Sequence, residues 1–514
     1  MTAGDPNGGG GRLMIGFLGH KPSDDLKRVL HETGARSVIL FARNIESASQ
    51  CRALIDGIRE LVEWPLLLAV DQEGGAVLRV LEGATVFPGN MALGSANDVE
   101  LALAQGRASG AQLAAMGFDI NLAPVVDLQT NPANPGIGIR SLGSDRERAL
   151  ALTRALVQGH SEHGVASCLK HFPGKGSASV DAHLDLPVIE QKREDFEEPH
   201  LRIFAELFGC DPRLAVMTTH MLVQGLDPEL PATLSRAVAH DLLRTELGFD
   251  GLLIADDMEM GAIVKHHGVP GAVLAAAQSG HDLIPICHSE DWQLAGARRL
   301  CEALANGELD AEEHARSLQR IDERILHERP EAPIDPAAGD EVAVQIARKG
   351  LHCFGDAQGL LPLSQKDEML VLSPFPHAVV GVEEGADRDW RGLLHGIFAE
   401  RHKAALQVEC FDYDLDGAEV ERLLGLADSS SCVVLLTWNA MQSPGQQQLI
   451  AAGSERFGDR LLIGHLRNPF DQVFVPSEVT AVTPFGYRIA QLEAMVDGLF
   501  GRLEFQGILP APIR

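Results

Sequence analysis

Three short stretches of this chain hold side chains able to move protons, displace a leaving group or grip hydroxyls. KHFPGKGSASVDAHLDLP, at 170–187, joins Lys170 and His171 to a Gly-Pro-rich turn and then to Asp181 and His183. A carboxylate two residues from an imidazole can hold the ring and fix its tautomer, the requirement for an acid/base group. Gly174 and Gly176 let the backbone turn where side chains would clash, giving a mobile loop long enough to reach over a pocket. LLIADDMEM, at 252–260, ends an apolar run on Asp256 and Asp257. Successive side chains of an extended strand point to opposite faces. One of the two carboxylates therefore aims inward while the other braces a neighbouring loop. DQEGGAVLRV, at 71–80, sets Asp71 and Arg79 on either side of a Gly-Gly turn, a fork suited to binding hydroxyls or, more blandly, a surface ion pair.

The elements that must position these groups are legible upstream of each. Apolar runs at 13–19, 37–41, 66–70, 118–124, 167–172, 214–220, 252–256 and 282–286 read as buried strands. Helix-patterned segments such as SQCRALIDGIRELVE and ERALALTRALVQGHSEHG separate them. Eight strands alternating with helices predict a parallel (β/α)8 barrel, with an open doubly wound sheet as the alternative. The strand ends are polar: Asp71, Asn121 with Asp127 just beyond, Lys170 and His171, His220, and Asp256. In a parallel barrel these tips share the face where βα loops build active sites. Singly each could be a cap or an ion-pair member; in register they predict a site.

Residues 1–12 read as a flexible leader, 13–328 as the barrel, and the proline-rich 329–341 as a linker. Residues 342–514 read as a smaller α/β sandwich, with buried strands in EMLVLSP, CVVLLTW and DRLLIGHL. No catalytic constellation stands out there, and His377, Trp390 and Trp438 read as core or surface residues. With 43 basic and 72 acidic residues the net charge is −29, which disfavours nucleic acid and anionic membranes as partners. The eight scattered cysteines lack metal-ligand spacing and read as reduced thiols; with no apolar stretch of membrane-spanning length, a cytoplasmic location is expected.

KHFPGKGSASVDAH, DQEGGAVLR, ADDMEM and NPGIGIRSLGSD (134–145) together resemble glycoside hydrolase family 3. The resemblance is to its branch of β-N-acetylglucosaminidases of bacterial cell-wall recycling. It extends through GLLPL (359–363), RNPFD (467–471) and LFGRLEFQGILP (499–510) to the family's C-terminal domain. The chain departs from that pattern at Lys175, where the family has histidine, and at Ala76, Ala182 and Ala255. The resemblance implies that Asp256 is the nucleophile and that His183, oriented by Asp181, is the acid/base. Asp71, Arg79, Arg140, Lys170 and His171 would bind sugar hydroxyls. Much of the wider family takes its acid/base, a glutamate, from the second domain, and the Asp-x-His pair separates this branch from them.

The expected reaction is hydrolysis of a terminal β-linked N-acetylhexosamine, with retention, through a glycosyl-aspartate. It needs no metal and no organic cofactor, only a small saccharide. Because a neutral imidazole does not repel anions as a carboxylate would, a phosphorylase using inorganic phosphate is the alternative. A β-glucosidase and, last, a non-catalytic sugar-binding protein remain as further readings.

Overall fold

The computed structural model describes residues 4–326, 334–357, 359–378, 383 and 389–513. Eight parallel strands form the first sheet: β1 (Leu13–Ile15), β2 (Ser37–Leu40), β3 (Leu67–Val70), β4 (Ile120–Asn121), β5 (Ala166–Phe172), β6 (Ala215–Thr218), β7 (Leu252–Ile254) and β8 (Ile284–Ile286). They pair in chain order, β8 returns to β1, and a parallel bridge from Ile254 to Leu283 brings β7 against the start of β8. The barrel expectation holds, and the open sheet does not. The run predicted at 118–124 is a strand only at Ile120–Asn121, with the Asp119 and Leu122 N–H groups on either side donating to the Leu68 and Val70 carbonyls of β3.

The helices between the strands begin where a side chain can satisfy free N–H groups. Ser23 caps Asp24–Thr33, Asp98 caps Val99–Met116 and Asp145 caps Arg146–Ser161, each accepting from a backbone N–H of the first turn. Their apolar faces and the outer faces of the strands make the cores around the barrel, and Met14, Leu67, Ile120, Cys168 and Ile254 help fill its interior.

The segment predicted as a leader is not loose over residues 4–12. Gly9–Arg12 forms a 3-10 turn, Gly8–Arg12 are buried, and the Arg12 guanidinium donates to the carbonyls of Ala277 and His281. Four successive glycines permit this, because a Cβ at Gly10 would lie 1.8 Å from the Thr33 carbonyl oxygen. Of the expected linker, residues 329–333 lie outside the described residues. Its remainder enters the helix Ala337–Lys349 and is tied to the barrel, Thr85 Oγ1 donating to the Pro336 carbonyl at 3.0 Å.

A second, six-stranded sheet follows: β9 (His352–Gly355), β10 (Met369–Pro374), β11 (Leu406–Phe411), β12 (Cys432–Thr437), β13 (Leu461–His465) and β14 (Thr480–Thr483). Their order is β9-β14-β13-β12-β10-β11, all parallel except β9. Helices cover both faces, and the core on one face is continuous with that of the barrel helices. Trp390 and Trp438 are buried in that shared core, edge to face at 6.3 Å. Among the described residues no helix is long and apolar enough to cross a membrane.

Candidate active site

A cavity of about 380 Å3 opens at the carboxyl ends of the barrel strands, within the usual size range of small-molecule sites. Asp71, Arg79, Arg140, Lys170, His171, His183 and Asp256 all line it, and Asp181 stands behind His183. Residues up to 185 positions apart in the chain thus meet at one place, as the polar strand ends predict.

One wall is a ladder of alternating charges. Arg79 Nη2 lies 3.7 Å from Asp71 Oδ2, Lys170 Nζ is 2.7 Å from Asp71 Oδ1 and 2.6 Å from Glu73 Oε1, and Arg140 grips both oxygens of Glu73 at 2.8 and 2.9 Å. Glu73 was missed by the sequence reasoning although it lies two residues from Asp71. Burial works against its charge, yet Arg140 and Lys170 hold its carboxyl down at about 2. The fork between Asp71 and Arg79 exists and is buried, not a surface pair.

Lys170 and His171 are neighbours yet both face the cavity, because the pairing of β5 with β6 shifts register between Lys170 and Phe172. His171 Nδ1–H donates to Asp127 Oδ2 at 2.7 Å, while the peptide N–H groups of His171 and Lys175 also end on that carboxylate. Burial, with Lys175, Arg140 and Lys170 nearby, pushes His171 well below its usual range. It is therefore neutral, with the other ring nitrogen left to accept from a hydroxyl. Asp127, itself pushed up to about 6 by burial, anchors the start of the loop and does not line the cavity.

The loop after β5 carries the dyad. Asp181 Oδ1 accepts from His183 Nδ1 at 2.8 Å and from the His183 peptide N–H at 3.1 Å. Burial would raise the Asp181 carboxyl, but the contact with His183 and the Lys175 charge hold it well below the carboxylate range. The carboxylate thus fixes the Nδ1–H tautomer and leaves Nε2 for proton exchange. Contrary to the expectation of a mobile loop, this segment is pinned on both sides. Asn134 Nδ2 donates to the carbonyls of Lys175 and Gly176, and Ala262 N–H donates to the Ala182 carbonyl. Both glycines are required sterically: a Cβ at Gly176 would sit 1.7 Å from the Leu128 carbonyl oxygen, and one at Gly174 2.7 Å from His200 Cβ.

Asp256 and Asp257 both border the cavity but differ in state. Burial opposes the charge on Asp256; His220, Lys175 and His183 outweigh it and hold the carboxyl below its ordinary value. His220 spends its ring on Thr233 and the Asp257 carbonyl, and burial pushes it down; burial and the Arg140 charge likewise hold the Lys175 ammonium below its ordinary value. Asp257 is pushed up to about 8 by burial and by Glu259. It accepts from the N–H groups of Glu259 and Cys287, so it braces the loops after β7 and β8 and caps no helix. Lys175 is buried on the cavity wall, and among the described residues its ammonium has no hydrogen-bond or ion-pair partner. Among the described residues the second sheet domain gives Glu383 to the cavity, paired with the buried Arg467. No sequence signal marks Glu383. Among the described residues no group of three or more His, Cys, Asp or Glu is disposed to hold a metal ion.

A parallel barrel presenting a carboxylate-held imidazole and a buried, ionised aspartate to one cavity is a scaffold for glycoside cleavage. The chain belongs to glycosyl hydrolase family 3, whose N-terminal domain model matches residues 10–323. A β-hexosaminidase of Alkalilimnicola ehrlichii is 38% identical over 296 residues, 56% of this chain and 84% of that one. One from Tolumonas auensis is 34% identical over 298 residues, 58% of this chain and 87% of its own length. The solved family 3 β-N-acetylglucosaminidase of Paenibacillus sp. str. FPU-7 superimposes with a TM-score of 0.92 at 32% identity, covering 100% of this chain and 99% of that one.

Proposed function

We propose that the chain is a retaining β-N-acetylhexosaminidase that releases terminal β-linked N-acetylglucosamine through a glycosyl-aspartate. The observation that carries this is the shared cavity of Asp256 and the Asp181–His183 dyad, 2.8 Å across its hydrogen bond. Asp256 attacks the anomeric carbon while His183, protonated on Nε2, gives that proton to the leaving oxygen. The same nitrogen, now a base, takes a proton from water, whose oxygen displaces Asp256 and completes retention. Asp71, Arg79, Arg140, Lys170 and neutral His171 hold the sugar hydroxyls, and Asp181 keeps the imidazole turned to the bond being cleaved.

We take 13–328 as the catalytic domain and 342–514 as the second, and a small saccharide derived from cell wall as the substrate. The eight free cysteines suit a reducing compartment, and we place the enzyme in the cytoplasm. The charge of −29 speaks against nucleic-acid and membrane partners. The test is turnover of an aryl β-N-acetylglucosaminide against the matching glucoside, with Asp256→Ala and His183→Ala. Preference for the N-acetyl sugar and its loss in both variants are expected; unchanged turnover in both would overturn the assignment.

A second reading is favoured by Lys175. Once Asp256 is esterified its charge is gone, and the Lys175 ammonium on the same wall is left to attract an anionic acceptor. Products formed with and without inorganic phosphate decide between water and phosphate: a sugar 1-phosphate would identify a phosphorylase.

A further inference from the structure

Among the described residues the second domain meets the active-site loops at the dipeptide Arg467–Asn468 and also at Arg488, whose Nε donates to the Gly75 carbonyl at 2.6 Å. Arg467 and Asn468 follow the carboxyl end of β13, and Asn439 follows that of β12, its paired neighbour. The Asn439 side-chain oxygen accepts from Arg467 Nη1 at 3.3 Å and also from Asn468 Nδ2. From this junction two arms leave. Arg467, fully buried, pairs with Glu383 on the cavity wall. Asn468 Oδ1 accepts from the Ile139 peptide N–H at 3.2 Å, one residue before Arg140.

The fit at the second arm is close. Gly138 has φ +46°, and a Cβ there would lie 2.4 Å from Asn468 Oδ1. The turn closes with Arg140 N–H on the Ile137 carbonyl at 2.9 Å and Ser141 N–H on the Gly138 carbonyl at 3.1 Å. Its other end is held by Asn134, whose side-chain oxygen accepts from Gly136 and Ile137 and whose amide donates into the loop bearing Lys175. Arg140 is thus aimed at Glu73 by a turn held from the barrel by Asn134 and by Asn90, whose Nδ2 donates to the Arg140 carbonyl at 2.7 Å, and from the second domain by Asn468.

We propose that Asn468 is a positioning residue for substrate binding: through Ile139 it sets where Arg140 presents its guanidinium to the cavity. The second domain is then part of the binding apparatus, and it places Glu383 and Arg140 from a single anchor at Asn439. Guanidinium hydrogen bonds depend steeply on geometry, so a small displacement of this turn weakens the grip without removing any group that touches substrate.

This rests on the proposed glycosidase function, and the test separates the two. Wild-type turnover of an aryl β-N-acetylglucosaminide checks the function itself. Given that turnover, Asn468→Ala is expected to raise KM about tenfold with kcat changed about twofold or less. In an Arg140→Ala background the same substitution should change KM by less than about twofold, because the group it positions is gone. Asn439→Gly removes the junction at a position whose φ of +55° suits glycine, and should show the same coupling with a smaller loss. Equal effects with and without Arg140, or an unaltered KM in both Asn468→Ala and Asn439→Gly, would overturn the proposal.

Discussion

Replacing Lys175 by methionine removes one charge from the cavity wall and little volume. In the proposed mechanism Asp256 must be ionised to attack, and Lys175 stands with His220 and His183 among the groups that keep its buried carboxyl below the ordinary value. A sphere of the cavity's 380 Å3 is about 9 Å across, and unit charges that far apart interact by roughly 2 kcal/mol at an effective dielectric of about 20. Since ~1.4 kcal/mol corresponds to one pKa unit, the Asp256 carboxyl should rise by roughly one unit. The sign follows from which form reacts: activity is lost as pH falls through this pKa, so raising it moves the acid limb of kcat/KM upward. The alkaline limb, which does not report Asp256, should stay in place. The assay is the pH dependence of kcat/KM on an aryl β-N-acetylglucosaminide for wild type, Lys175→Met and Lys175→Arg. Arginine should retain the wild-type acid limb. An unmoved limb in the methionine variant, or arginine behaving like methionine, would refute the electrostatic role.

Asp181→Ala removes the acceptor that fixes the His183 tautomer and should lower kcat by about 10²–10³-fold with KM little changed, read from steady-state kinetics. Glu73→Gln breaks the contacts to Lys170 and Arg140 inside the fold and should cost about 3–5 kcal/mol, seen as a lowered denaturation midpoint. Because the Glu73 carboxyl lies near 2 in the fold, its contribution is present above the unfolded value of about 4.5 and disappears as pH falls toward 2. The wild-type advantage over Glu73→Gln should shrink across that window. Asp257 has the opposite sign: raised to about 8, it takes up a proton on folding and loses stability as pH rises from about 4 to 8. Asp257→Asn, which carries no titrating proton, should therefore gain stability relative to wild type across that range in urea titrations.

The barrel was legible because its strands are apolar runs and five of them end on or near a polar residue, so Val70–Asp71 and Ile254–Asp256 announce both strand and strand tip. Asp71, Lys170, His171 and Asp256 could be found on the cavity for the same reason, whereas Arg140 came through the family resemblance and Glu383 through neither. What the local pattern could not carry was partner choice at long range. Asn121 and Asp127, polar strand-end residues like Asp71, turn to backbone work, Asn121 pinning Gln72 and Asp127 holding the loop after β5. Asn134 and Asn468 matter through bonds to peptide groups remote in sequence and Asn439 through bonds to two remote side chains, and an asparagine in a loop looks alike whether or not such a partner lies opposite. The glycine-rich start misled differently: small residues spell flexibility in isolation but also permit the close approach that seats Gly9–Arg12.

The ladder from Arg79 through Asp71, Lys170 and Glu73 to Arg140 has a thermodynamic consequence of its own. Five long or charged side chains are already immobilised there before any sugar arrives. Freezing a free lysine, arginine or glutamate takes up to about 2 kcal/mol of rotamer entropy each. Here that loss is settled when the chain folds, so it does not recur at each turnover. On the proposed function, a sugar entering the cavity would meet dipoles that need not reorganise, and its hydroxyls would exchange water for groups held in place. The folded state carries the strain of five buried charges so that each catalytic cycle begins from order.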